Sequence, residues 1–175
     1  RLVIVPVQPQ PSQKWFETWL LRTLSAFDPE RPVYVEAESR KIGNLHVPEA
    51  LIGQIRNGEC LGVEASITAR VSFLLKDYEY FLAEPALFID RLGALQGLQS
   101  RETLDNWRAL AEAGHWQPLV QALLEMHYDP LYLRSQNRNY AGYRPLENFV
   151  TDDLSPAGIR IMAERLLQGR RAQIA

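Results

Sequence analysis

The sequence predicts an α/β protein: a mostly parallel sheet with flanking helices, and a helical segment in the C-terminal half. Three observations carry that expectation. Short β-prone runs alternate with helix-period stretches through the first half of the chain, the order expected of βαβ units. From Pro85 on, three successive stretches keep helical periodicity and are separated by turns at Gly97 and Gly114. The 175 residues, 46% apolar and 23% charged, suffice for one domain that buries roughly 70% of its unfolded surface, with no need of a disulfide or metal staple.

Taken in order, Leu2-Val3-Ile4-Val5 reads as a short strand stopped by Pro6, and the alternate prolines of "QPQPSQ" hold the next residues extended. Ser12 then caps an amphipathic helix whose apolar positions are Phe16, Trp19, Leu20, Thr23, Leu24 and Phe27, ended by Asp28-Pro29. Val33 to Ala37 is the next strand, followed by a loop and a short helix opened by Pro48 and closed at Gly58. "CLGVEA" is a further strand, and Ser66 caps a helix carrying Ile67, Val71, Leu74 and Leu75, with a continuation towards Leu82. Pro85 to Leu95, Ser100 to Ala113 and Trp116 to His127 read as helices. "LENFV" reads as a last strand, and Ser155-Pro156 opens a closing helix with Ile159, Met162, Ala163, Leu166 and Leu167 on one face. One domain thus has three stretches: sheet-forming βα units to about residue 84, a helical segment from about 85 to 127, and a basic, tyrosine-rich stretch with the closing helix from about 128 to 175.

Net charge is −2, so nothing pulls the whole molecule toward nucleic acid, and any RNA or phosphate contact must come from a local patch. Cys60 sits in a strand pattern and reads as a structural thiol. His46, His115 and His127 lack zinc-ligand spacing, and there is no run of 18 apolar residues to span a membrane. The chain begins at Arg1 and shows no signal-peptide pattern, which points to part of a longer cytoplasmic protein.

The stretch "RPVYVEAESRKIG" carries the first candidate chemistry. In parallel sheets ligands gather at the carboxyl ends of strands, and Glu36 and Glu38 stand at such an end. Their period-two spacing points both carboxylates to one face, where they could hold Mg²⁺ or orient a nucleophile; a solvated acidic loop is the plainer alternative. The companion phosphate loop, G-x-x-x-x-G-K-[ST], is absent, as are G-x-G-x-x-G and G-x-S-x-G. Arg70, one turn into a helix that follows a strand, could reach a phosphate or simply pair with a nearby acid. Arg134, Arg138 and Arg144, interleaved with Tyr128, Tyr132, Tyr140 and Tyr143, could clamp phosphates and stack bases, or merely cover the core.

Five ordered motifs, "QPSQKWFE", "VEAESRKIG", "HVPEAL", "ARVSFLLKDY" and "YDPLYLRSQNRN", resemble the C-terminal portion of bacterial tRNA 2-selenouridine synthases, from about Gln10 to Gln168. The resemblance implies a P-loop NTPase-like fold, of which this chain is the later part. It also implies an enzyme that replaces sulfur by selenium at the 2-position of the wobble uridine, with selenophosphate as co-substrate and the tRNA anticodon region as partner. A rhodanese-like domain of the same parent carries the catalytic cysteine in that family, which leaves Cys60 without that role. Carried onto this sequence, Glu36 and Glu38 take the catalytic positions, with Glu36 the ligand of any Mg²⁺. Ser12, Gln13, Lys14, Ser39, Arg40 and Arg70 take phosphate or substrate positions, and Arg134, Arg138, Asn139 and Arg144 take tRNA positions. Two other readings stand beside it: a non-catalytic binding module descended from the same domain, and a P-loop small-molecule kinase.

Overall fold

The computed structural model describes residues 9–36, 40–79, 82, 84–140, 145 and 147–174, with backbone alone at 147 and 169–174. The chain forms two compact units, residues 1–59 with 134–143, and residues 60–133 with 144–175. The expected strands at Leu2 to Val5, and Ala37 at the end of the second, lie outside the described residues.

In the first unit, helix α1 spans Gln13–Ser25, and Ser12 caps it by accepting from the Trp15 amide. The half-buried side of α1 is formed by Gln13, Phe16, Leu20 and Thr23, so Trp19, Leu24 and Phe27 do not lie on a buried face as their spacing suggested. Val33 to Val35 are exposed and sit in no ladder among the described residues. The stretch read as a plain loop after them contains a hairpin: β1 (Lys41–Ile42) pairs antiparallel with β2 (Leu45–His46) across Gly43-Asn44. Gly43 takes φ +62°, a left-handed conformation that favours glycine. Helix α2 (Glu49–Asn57) begins after Pro48 and ends at Gly58. Leu45, Ile52 and Tyr140 are the buried hydrophobic residues here.

In the second unit, β3 (Leu61–Glu64) lies parallel to β4 (Glu147–Val150), with Leu61 opposite Glu147 and Glu64 opposite Val150. The sequence predicts a mostly parallel sheet; the described ladders are this one parallel pair and the antiparallel hairpin. Gly62 is buried because the Asn148 side chain occupies the space a Cβ would need. Helix α3 (Ile67–Asp77) starts at the Ser66 cap and ends at Tyr78; beyond it Glu79 and Leu82 are again helical, and residues 80, 81 and 83 lie outside the described residues.

The core lies among α4 (Pro85–Leu92), a 3₁₀ turn at Gly93–Leu95, α5 (Arg101–Glu112) and α6 (Trp116–Leu123). Leu92, Leu95, Leu104, Trp107, Ala111 and Leu119 form its buried centre, and Phe88 meets Trp116 edge to face at 5.7 Å. Leu104, Trp107 and Ala111 recur at helical spacing on one side of α5, which is why that helix docks. Beyond α6 the chain makes a π-helical turn, Leu124–Tyr128, and resumes as α7 (Asp129–Asn139); α8 (Pro156–Ile174) closes the chain. Pro130 has no N–H to give the Met126 carbonyl, and the Gln99 side chain donates to that oxygen at 3.1 Å instead.

Candidate functional site

Around the start of α1, two glutamine side chains act as pieces of backbone. Gln13 Nε2 donates to the His46 carbonyl at 2.8 Å, and its Oε1 accepts from the His46 amide at 3.0 Å. Gln10 treats the hairpin turn in the same way, donating to the Ile42 carbonyl at 2.9 Å and accepting from the Asn44 amide at 2.7 Å. A side-chain amide matches both backbone groups of a short strand, so these residues fasten the hairpin beside the helix N-terminus. Gln13 is therefore engaged in this fastening, Ser12 in its cap, and Lys14 projects into solvent.

Arg40 continues the hairpin by accepting the Val47 amide at 2.8 Å, and its guanidinium pairs with Glu49 in the first turn of α2. Glu36 is exposed, whereas Glu38 and Ser39 lie outside the described residues. No group of three or more His, Cys, Asp or Glu side chains is gathered for a metal among the described residues. Asn139, at the end of α7, accepts from Arg56 Nη2 at 2.8 Å and donates to Ser135 at 3.1 Å. Arg134 and Arg138 are both exposed and one turn apart on α7, as their spacing predicts. Arg144 and Tyr143 lie outside the described residues.

In the other unit, Arg70 sits in the first turns of α3 and meets Asp129 in a two-bond fork, Nη1 to Oδ2 at 3.0 Å and Nη2 to Oδ1 at 2.6 Å. The hydrogen bond to Asp129 raises the Arg70 pKa above its ordinary value against the opposing effect of burial. Asp129 directly follows the π turn, so that turn helps set the direction of the carboxylate. His127, within the turn, lies 3.3 Å from Gln99 Nε2 through Nδ1, and burial lowers its pKa below the usual histidine value. Tyr128 and Tyr132 stack with centroids 5.8 Å apart. At the end of β4, Asp152 accepts the Ser66 amide at 3.0 Å, a bond that lowers its pKa and joins this strand end to the start of α3. Asp129, Gln10 and Asp152 were not singled out in the sequence. A partner 59 residues from Arg70 leaves no local pattern, but the Gly-Asn turn of the hairpin did leave one.

The sequence model of the tRNA 2-selenouridine synthase AAA domain matches residues 5–110. The chain belongs to that family. The family match takes in Ser12, Gln13, Lys14, Glu36, Glu38, Ser39, Arg40 and Arg70, while Arg134, Arg138, Asn139 and Arg144 lie beyond it. Among curated proteins, the tRNA 2-selenouridine synthase of Nitrosomonas europaea is 28% identical over 177 residues, covering 74% of this chain and 45% of that protein. The tRNA 2-selenouridine synthase of Alcanivorax borkumensis is 31% identical over 151 residues, covering 70% of this chain and 42% of its own length. That of Marinobacter nauticus is 28% identical over 154 residues, with 72% and 42% covered. The chain spans less than half the length of these selenouridine synthases. No solved structure matches it. No described helix is long and apolar enough to cross a membrane.

Proposed function

We propose that this chain forms part of a cytoplasmic transferase that replaces sulfur by selenium at the 2-position of wobble uridine in tRNA, with selenophosphate as the selenium donor. The observation that carries the reading is the family match over residues 5–110, which includes Glu36, Glu38, Ser39, Arg40, Arg70 and the start of α1. In this reading the fold is of P-loop type, and the β3–β4 pair is part of a mostly parallel sheet. Glu36 and Glu38 act on the displaced phosphate or orient the nucleophile. Ser12, Gln13, Lys14, Ser39 and Arg40 on one unit, and Arg70 on the other, each serve phosphate or substrate binding. Arg134, Arg138, Asn139 and Arg144 follow the tRNA anticodon region, and a rhodanese-like domain of the same parent handles sulfur. The 175 residues contain no G-x-x-x-x-G-K-[ST], so the chain alone is expected to bind without turnover.

The exposed pair Arg134 and Arg138 offers the direct test. Replacing both by alanine is expected to weaken tRNA binding by the 175-residue chain and to flatten the slope of log affinity against log salt by about 1.5 to 2, the release of two phosphate contacts. An unchanged slope and affinity would remove tRNA tracking from α7.

A further inference from the structure

Helix α1 has no buried residue, and one of its sides is unusual for a soluble surface. Trp15 and Trp19 are 57% and 54% exposed, and their rings lie parallel within 4° with centroids 6.3 Å apart. Arg22 follows them at i, i+4, i+7 on the same side, with Lys14 and Thr18 flanking. The helix has one acid, Glu17, which stands one turn from Lys14 and accepts from Gln13 at 2.7 Å. Two large indoles left in water are unfavourable unless something covers them. The pair is already stacked, so a further aromatic plane can extend the stack at little ordering cost, and Lys14 and Arg22, against the single acid Glu17, favour an anionic occupant.

We propose that this side of α1 is a stacking platform for an unpaired base of single-stranded RNA, with Lys14 and Arg22 beside its phosphates. Flat π surfaces flanked by cations are how single strands are held without base-specific hydrogen bonds. The inference rests on the tRNA reading above and names a contact for it that is independent of α7.

The test titrates the 175-residue chain with a ten-nucleotide unstructured RNA and with tRNA, following tryptophan fluorescence and, separately, the anisotropy of labelled RNA. The unsubstituted chain is expected to show quenching. Trp15→Ala with Trp19→Ala should lose about ten- to a hundredfold in affinity for the oligonucleotide, whereas Trp15→Phe with Trp19→Phe should stay within a few-fold. Circular dichroism should show both variants melting like the parent, because neither side chain is buried. Equal RNA affinity in the alanine variant overturns the proposal. So does a concentration-dependent self-association that the alanine variant abolishes while RNA causes no quenching. If quenching and the alanine effect hold while Arg134→Ala with Arg138→Ala leaves tRNA binding untouched, only the α7 assignment falls; if that pair matters and the tryptophans do not, only the platform falls.

Discussion

Arg70 shows how a single residue can be read correctly in position and incompletely in role. Its place one turn into a helix after a strand was legible, because Ser66 and the apolar spacing of α3 fix where that helix begins. That both terminal nitrogens would meet one carboxylate was not, since Asp129 approaches through the fold. Asp129→Asn keeps the shape but turns one acceptor into a donor facing a cation. It is expected to cost about 1–2 kcal/mol in urea unfolding, an estimate for a half-buried charge-assisted bond. His127 gives a pH prediction of defined sign. Burial holds its folded pKa below the ordinary value, so the unfolded chain takes the proton first as pH falls. Its contribution to stability is complete above the unfolded pKa of about 6.5 and is lost as pH drops through the folded value. Unfolding midpoints measured from pH 7.5 down to 5 should decline, and His127→Gln should decline less over that range.

Among the elements, those governed by local chemistry were the most legible. Ser12 and Ser66 each cap the helix the sequence assigned to them, and Ser100, read as the first residue of its helix, is its cap. Ser66→Ala removes the acceptor for the Ala69 amide and is expected to cost about 1 kcal/mol, visible as a lower melting temperature. The hairpin at Lys41 to His46 was passed over because its two-residue strands are too short for alternation to show, although Gly43-Asn44 is a recognised turn pair. Much of its anchoring comes from Gln10 and Gln13, which no periodicity identifies. In Gln10→Ala with Gln13→Ala the Asn44 and His46 amides lose their acceptors, so hydrogen exchange at these two positions should speed up while exchange along α5 stays unchanged. The Trp19 position was misassigned for a related reason: Phe16, Leu20 and Thr23 define a half-buried stripe, and an additional large apolar residue beside it looks the same in a sequence.

At the scale of the molecule, the described residues of the two units differ in what they bury. One has Leu45, Ile52 and Tyr140, and the other has a continuous cluster around Trp107 and Leu119. Leu104→Ala within that cluster is expected to cost about 2–5 kcal/mol. The amides of α2 should lose exchange protection at lower denaturant than those of α5. The α/β character and helical second half were visible from the order of patterns, but pairing between residues 61–64 and 147–150 spans too much chain for sequence pattern alone to fix.

The turn at Leu124–Tyr128 works as an angular offset in a long screw. An α-helix advances about 100° per residue, so the extra residue of a π turn sets the azimuth of Asp129 just beyond it. Deleting Glu125 would bring the thread back to regular pitch and swing Asp129 about a quarter turn away from Arg70. The price of a smoother helix would be a guanidinium with no counter-charge.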